Sequence, residues 1–127
     1  MYISIAAIVF ALLIAVVILF QFALVIGFPW GEYAMGGKFK GKYPVPMRIA
    51  AVVQIFIYLF FGVVVLSKAK LYFEDFYSIA VSGIWVIVGI FVLATILNFI
   101  TKSEVEKRIW APVSLLLLVS SIIVALG

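Results

Sequence analysis

The sequence predicts an all-α polytopic membrane protein, a four-transmembrane-helix bundle of two tandem helical hairpins forming one domain over residues 1–127. Three observations predict it. Of the 127 residues, 69% are hydrophobic and 11% charged, against ~45–50% and ~25% in soluble domains, so the solvent expected around the chain is lipid. The apolar residues fall into four runs, each long enough to cross a hydrocarbon core ~30 Å thick. The polar residues gather in three intervals between those runs, the longest being Gly27 to Arg48, which holds three of the four prolines.

Composition also removes chemistry. With no cysteine and no histidine, the chain has no thiolate nucleophile and lacks the commonest general base, metal ligand and pH switch. No metal or cofactor is expected. The net charge of +4 is accounted for by loop residues that set orientation, and nucleic acid is not an expected partner.

The first helix is expected over about 3–26, as a membrane span and not a signal peptide, because it lacks a basic leading region and its apolar run is too long. Ala7, Ala11 and Ala15 recur every four residues and suggest a face of close helix approach. Gly27-Phe28-Pro29 should end the helix, since Pro29 disfavours helical geometry at Phe28. The second helix is expected over about 48–66, after Pro44 and Pro46, with Ala51, Gln54, Tyr58 and Gly62 on one inward face. The interval 67–77 mixes Lys68, Lys70, Glu74 and Asp75 with aromatic residues, as the headgroup zone selects, and could hold a short interfacial amphipathic helix. There the acids read as solvated loop charges.

The third helix is expected over about 78–100. The fourth is expected over about 104–126, with Ser103 and Glu106 as a capping box and Pro112 kinking or loosening it. No soluble tail is expected after Gly127.

Orientation follows from the basic residues. The loops before the second and fourth helices carry Lys38, Lys40, Lys42, Arg48, Lys102, Lys107 and Arg108, whereas the loop between the second and third carries only Lys68 and Lys70. The positive-inside rule puts the first two in the cytoplasm and both ends of the chain outside the cell. In the cytoplasmic loop 27–47, lysines alternate with Phe39, Gly41 and Tyr43. That pattern suits anionic headgroups as well as an orientation signal, and GGKFKGK does not match the Walker phosphate loop.

The hairpins show signs of an internal repeat. Leu19-Phe20-Gln21-Phe22 matches Ile96-Leu97-Asn98-Phe99, and an amide or hydroxyl follows six residues after each of Arg48 and Arg108, at Gln54 and Ser114. These landmarks place Gln21, Gln54, Asn98 and Ser114 in one layer in the cytoplasmic half. A polar group unpaired in hydrocarbon costs several kcal/mol, so the four should face inward, either as interhelical glue or as a ligand-binding layer. Arg48 and Arg108 would flank the layer as interfacial anchors or as a fork for a phosphate or carboxylate. Glu32 could pair with either arginine and lock the loop over the bundle.

The strings PWGEYAMGGKFKGKYP, RIAAVVQ and RIWAPV resemble a family of small bacterial four-helix integral membrane proteins with no established activity. The resemblance covers most of the chain, implies the four-helix layout and carries over no functional residues. The expectation is a non-enzymatic, multi-pass cell-membrane protein that binds a small amphiphile or lipid headgroup. Its candidate ligand-binding residues are Gln21, Glu32, Arg48, Gln54, Asn98, Arg108 and Ser114, and its expected partners are membrane lipids. The alternatives are a structural subunit with a protein partner and no ligand, and a small homodimeric transporter. An enzyme ranks last, for want of a buried acid, histidine or cysteine.

Overall fold

The computed structural model describes residues 2–30, 41–42, 44–71, 73–100 and 104–127, without the side chains of 105 and 106. Four α-helices carry the described chain: α1 (Tyr2–Ile26), α2 (Val45–Lys68), α3 (Tyr77–Ile100) and α4 (Glu104–Leu126). Four stretches are long and apolar enough to cross a membrane: Tyr2–Ile26, Val45–Lys68, Glu74–Ile100, which joins α3 to the 3-10 turn before it, and Lys107–Leu126. This is the make-up of a multi-pass membrane protein. The 25 residues of α1 rise ~37 Å at 1.5 Å each, more than a hydrocarbon core ~30 Å thick needs.

Each helix packs on its neighbour in sequence, and α4 closes the ring against α1. Arg48, early in α2, lies over Gly27, just past the end of α1. Trp110, early in α4, meets Phe20, late in α1. Lys68, at the end of α2, reaches Val124, late in α4. α1 therefore runs antiparallel to α2 and α4, and α2 runs parallel to α4. The bundle has a first end, with Gly27, Arg48 and Trp110, and a second end, with Lys68, Tyr77 and Val124.

The core is an inward stripe from each helix. Phe10 of α1 and Phe61 of α2 both meet Phe91 of α3 edge to face, with ring centroids 5.7 and 5.9 Å apart, the geometry favoured by aromatic quadrupoles. Leu24, Val65, Ile84, Leu117 and Val124 are fully buried around or beyond them. Leu19, Phe56, Leu93 and Leu116 point outward and are exposed. Such a surface is costly in water and natural in hydrocarbon, because lipid tails are as apolar as leucine.

Several expectations change at the level of single residues. The alanine stripe is not one interface: Ala7 is buried, Ala11 half-buried and Ala15 exposed. A step of four residues overshoots the 3.6-residue turn, so the stripe rotates off the contact. α2 begins at Val45, three residues earlier than expected. Pro44 is its N-cap and its carbonyl accepts from the N–H groups of Met47 and Arg48. Pro46 fits inside the first turn because an N–H there would have no helical partner.

α1 ends in a Schellman motif. The Phe28 N–H donates to the Ala23 carbonyl at 3.0 Å and the Gly27 N–H to the Leu24 carbonyl at 3.3 Å. Gly27 adopts φ +104°, which a residue without Cβ reaches without strain. That motif, besides Pro29, stops the helix. α2 ends in the same way, with Leu71 donating to Leu66, Lys70 donating to Ser67, and Lys70 at φ 62°.

Among the described residues, the 67–77 interval holds no amphipathic helix. α2 runs on through Lys68, and a single 3-10 turn, Glu74–Phe76, leads into α3. Glu74 and Asp75 are exposed. Lys68 is buried, against the expectation of a loop charge: its ammonium donates to the Val124 carbonyl at 3.3 Å and lies 5.9 Å from the centre of the Tyr77 ring. α4 stays helical through Pro112. Pro112 offers no N–H to the Arg108 carbonyl.

Candidate functional site

The polar layer forms in part. On α1, Gln21 is buried between Phe20 and Phe22 in sequence, and on α2 Gln54 is half-buried. The Gln21 amide Nε2–H donates to Gln54 Oε1 at 2.7 Å. Each side chain thereby meets in hydrocarbon the partner that water would otherwise supply, and the bond ties α1 to α2. Ser114 on α4 is also buried, but its hydroxyl donates to the Ala111 carbonyl of its own helix at 3.1 Å. This local bonding leaves a mid-helix serine satisfied without a neighbour. Asn98 is half-buried on α3. Among the described residues no bond joins Asn98 or Ser114 to the Gln21–Gln54 pair. The structure therefore brings together two of the four amide and hydroxyl residues.

Arg48 and Arg108 stand at the first end of the bundle. Arg48 is half-buried, its guanidinium so close to Gly27 that a Cβ there would lie 3.5 Å from Nη2 and 3.8 Å from Cζ. This puts a cation on the C-terminus of α1, where unpaired carbonyls and the helix dipole favour positive charge. Arg108 is exposed in the second turn of α4. Glu32, with Gly36, Gly37, Lys38, Phe39 and Lys40, lies outside the described residues, as does Ser103 of the expected capping box.

At the same end, the outer surface between α1 and α4 holds a groove of about 710 Å³, lined by Val16, Leu19, Phe20, Phe22, Ala23, Ile26, Phe28, Trp30, Ile109 and Trp110. Its volume is that of small-molecule sites, ~300–1,000 Å³. Four of its aromatic rings interlock. Phe20 meets Trp110 edge to face at 4.8 Å and stacks on Trp30 at 6.4 Å, and Trp30 in turn meets Phe28 edge to face at 4.9 Å. Among the described residues the lining is apolar except for the indole N–H groups, and the two tryptophans lie near one end of the bundle, the position amphipathic rings favour at a membrane surface.

Of the seven candidate residues, the six that are described (Gln21, Arg48, Gln54, Asn98, Arg108 and Ser114) do not line this groove. Gln21 comes closest in sequence, but its neighbours Phe20 and Phe22 face the groove while Gln21 turns to Gln54. The ring cluster was available to a reading of the sequence. Phe20 lies six residues before the end of α1 and Trp110 six residues after the start of α4, so antiparallel packing puts them at one depth. A reading that searched only for polar groups passed over them.

Chemically, the site can hold an apolar chain or ring system and place cations near its end. Among the described residues no group of three or more Asp and Glu side chains could hold a metal. Comparison with protein families, with characterised proteins and with solved structures returns no match.

Proposed function

We propose that this chain is a multi-pass membrane protein that binds a small amphiphile at the cytoplasmic end of its helix bundle, without chemistry on it. In this reading it is built of two tandem hairpins, α1–α2 and α3–α4. Its first end faces the cytoplasm because the loop lysines and arginines concentrate there, and its second end faces outward. The observation that carries the proposal is the aromatic-walled groove between α1 and α4. A site that binds an amphiphile needs an apolar bed beside a polar boundary, and the groove ends at the residues flanking Gly27 and Arg108. The Gln21–Gln54 bond fixes the α1 wall from behind; the ligand lies on the other side of that wall.

Native mass spectrometry of the protein released gently from its own membrane tests this reading. The expected spectrum holds a discrete bound mass that is lost in Trp110→Ala and kept in Gln54→Leu. A clean apo mass in the wild type would count against it.

The second reading is a structural or accessory subunit, and one observation favours it: the Gln21 and Gln54 amides are satisfied by each other, as packing glue would be. In that case the same spectrum shows no small ligand but an added protein mass or a second copy, lost when Gln21 or Gln54 is made apolar.

A further inference from the structure

We infer that the bundle holds water inside its first end, in a cleft between α2 and α3 that reaches Tyr58 and stops at the Phe10, Phe61 and Phe91 rings. The cleft lies across the bundle from the α1–α4 groove, since α4 closes the ring against α1. It stands apart from the amphiphile-binding reading and does not depend on it.

The seam between α2 and α3 is shut toward the second end and open toward the first. On the shut side, a Cβ on Gly83 of α3 would lie 3.8 Å from a methyl of Val64 on α2, and Val64 is 3% exposed. Ile57 lies seven residues before Val64, two helical turns, and so on the same side of α2. It is 43% exposed. Ala94 lies eleven residues after Gly83, three turns, on the same side of α3, and is only half-buried. No residue of 52–60 on α2 or of 92–100 on α3 is buried. In the same half of the bundle α1 buries Gln21 and Leu24, and α4 buries Ala111 and Ser114. The opening therefore belongs to the α2–α3 side.

The inward stripes beside this opening carry polar groups. Gln54 lies seven residues before Phe61 and Asn98 seven after Phe91, and those two rings meet at 5.9 Å. On antiparallel helices that spacing gives Gln54 and Asn98 one depth and one inward face. The bond from Gln21 uses the Gln54 carbonyl and not its N–H groups. One turn deeper, Tyr58 packs edge to face on Phe61 at 6.0 Å. Tyr58 is the fourteenth of the 24 residues of α2, well inside the span. Among the described residues no hydrogen bond is made by the Tyr58 hydroxyl or the Asn98 amide. Hydrocarbon would leave such groups unpaired at a cost. A bound water needs ~2–4 polar partners, and these side chains offer both donors and acceptors. The stretches 49–66 and 77–100 hold no acidic or basic residue, so the cleft suits water and gives no counter-charge to an ion. Beneath Tyr58, Phe10 and Phe61 both meet Phe91 edge to face and form an apolar floor.

The chain has no cysteine, so single cysteines can report where water reaches. Full-length Ile57→Cys, Ala94→Cys and Asn98→Cys are reconstituted in phosphatidylcholine vesicles and treated on both faces with a small, permanently charged methanethiosulfonate. Phe56→Cys and Leu93→Cys, exposed at the same depth on the outward faces, are the lipid-facing controls. The attacking species is the thiolate, and a thiol in hydrocarbon stays protonated, so the cleft positions should react roughly tenfold faster than the controls, or more. Asn98→Cys, nearest the first end, should be fastest, and Val64→Cys, beyond the aromatic floor, should not react. Rates at Ile57→Cys and Ala94→Cys as slow as at the controls overturn the inference. Copper-phenanthroline crosslinking of Asn98→Cys into a dimer would overturn it as well, by giving the cleft to a second copy of the chain. Reaction of Val64→Cys as fast as Ile57→Cys overturns the floor. Ala94→Cys changes size least, and its comparison with Leu93→Cys decides even if Ile57→Cys fails to fold.

Discussion

The two ends of the bundle solve one problem in different ways. Each brings a cation to the end of a helix: Arg48 to Gly27 at the end of α1, and Lys68 to the Val124 carbonyl in the last turn of α4. In both places the negative end of the helix dipole makes a basic group favourable. At the second end the lysine is buried, with Val65 and Ser67 fully buried just before it in sequence, Val124 fully buried on α4 and Tyr77 adding its ring face at 5.9 Å. At the first end the arginine is half-buried, and the groove between α1 and α4 opens at the same end of the bundle. A lysine ammonium is a compact point charge that a carbonyl and an aromatic face can cover, whereas a guanidinium presents five donors in a rigid planar fork. The sealed end has the character of a structural closure, and the open end that of a place where something binds.

The largest break in this comparison should come from Lys68→Glu. It would set a buried carboxylate against the α4 carbonyl it replaces a donor for, at a cost of ~3 kcal/mol or more. The expected outcome is loss of the folded state in detergent thermal unfolding. If the variant unfolds like the wild type, the second end is not closed by Lys68. A smaller effect is expected from Gln21→Leu, which leaves Gln54 Oε1 without its donor and should cost ~1–2 kcal/mol. The double variant Gln21→Leu/Gln54→Leu should recover part of that loss. A double-mutant cycle read from unfolding midpoints gives the coupling between the two amides, and a coupling of zero would separate them.

Much of the helical layout was legible because four long apolar runs leave few alternatives in a chain of this composition. Residue-level features were less so. Pro46 suggested a late start for α2, yet the first turn of a helix has no use for the missing N–H. Lys68 looked like a loop charge since its partner is a backbone carbonyl 56 residues away, and every residue has a carbonyl. Gln21 and Gln54 stood out as lone amides in apolar runs, and the structure joins them. Ser114 stood out equally, but a serine can satisfy itself on its own helix where a glutamine more readily reaches across. The groove was the least legible feature, since aromatic residues near membrane surfaces are common and only the antiparallel packing of α1 on α4 gathers Phe20, Trp30 and Trp110 into one wall.

The central claim is that the open end binds an amphiphile more strongly than the rest of the lipid-facing surface does. Photo-crosslinking with an amphiphile carrying a diazirine in its acyl chain, followed by mass mapping of the adducts, tests it most directly. The account predicts adducts concentrated on the stretches bearing Phe20, Phe28, Trp30 and Trp110, and displaced by excess unlabelled amphiphile. Adducts spread evenly over the outward faces of α2 and α3, at Phe56, Phe60, Val86 and Leu93 as much as at the groove, would contradict it.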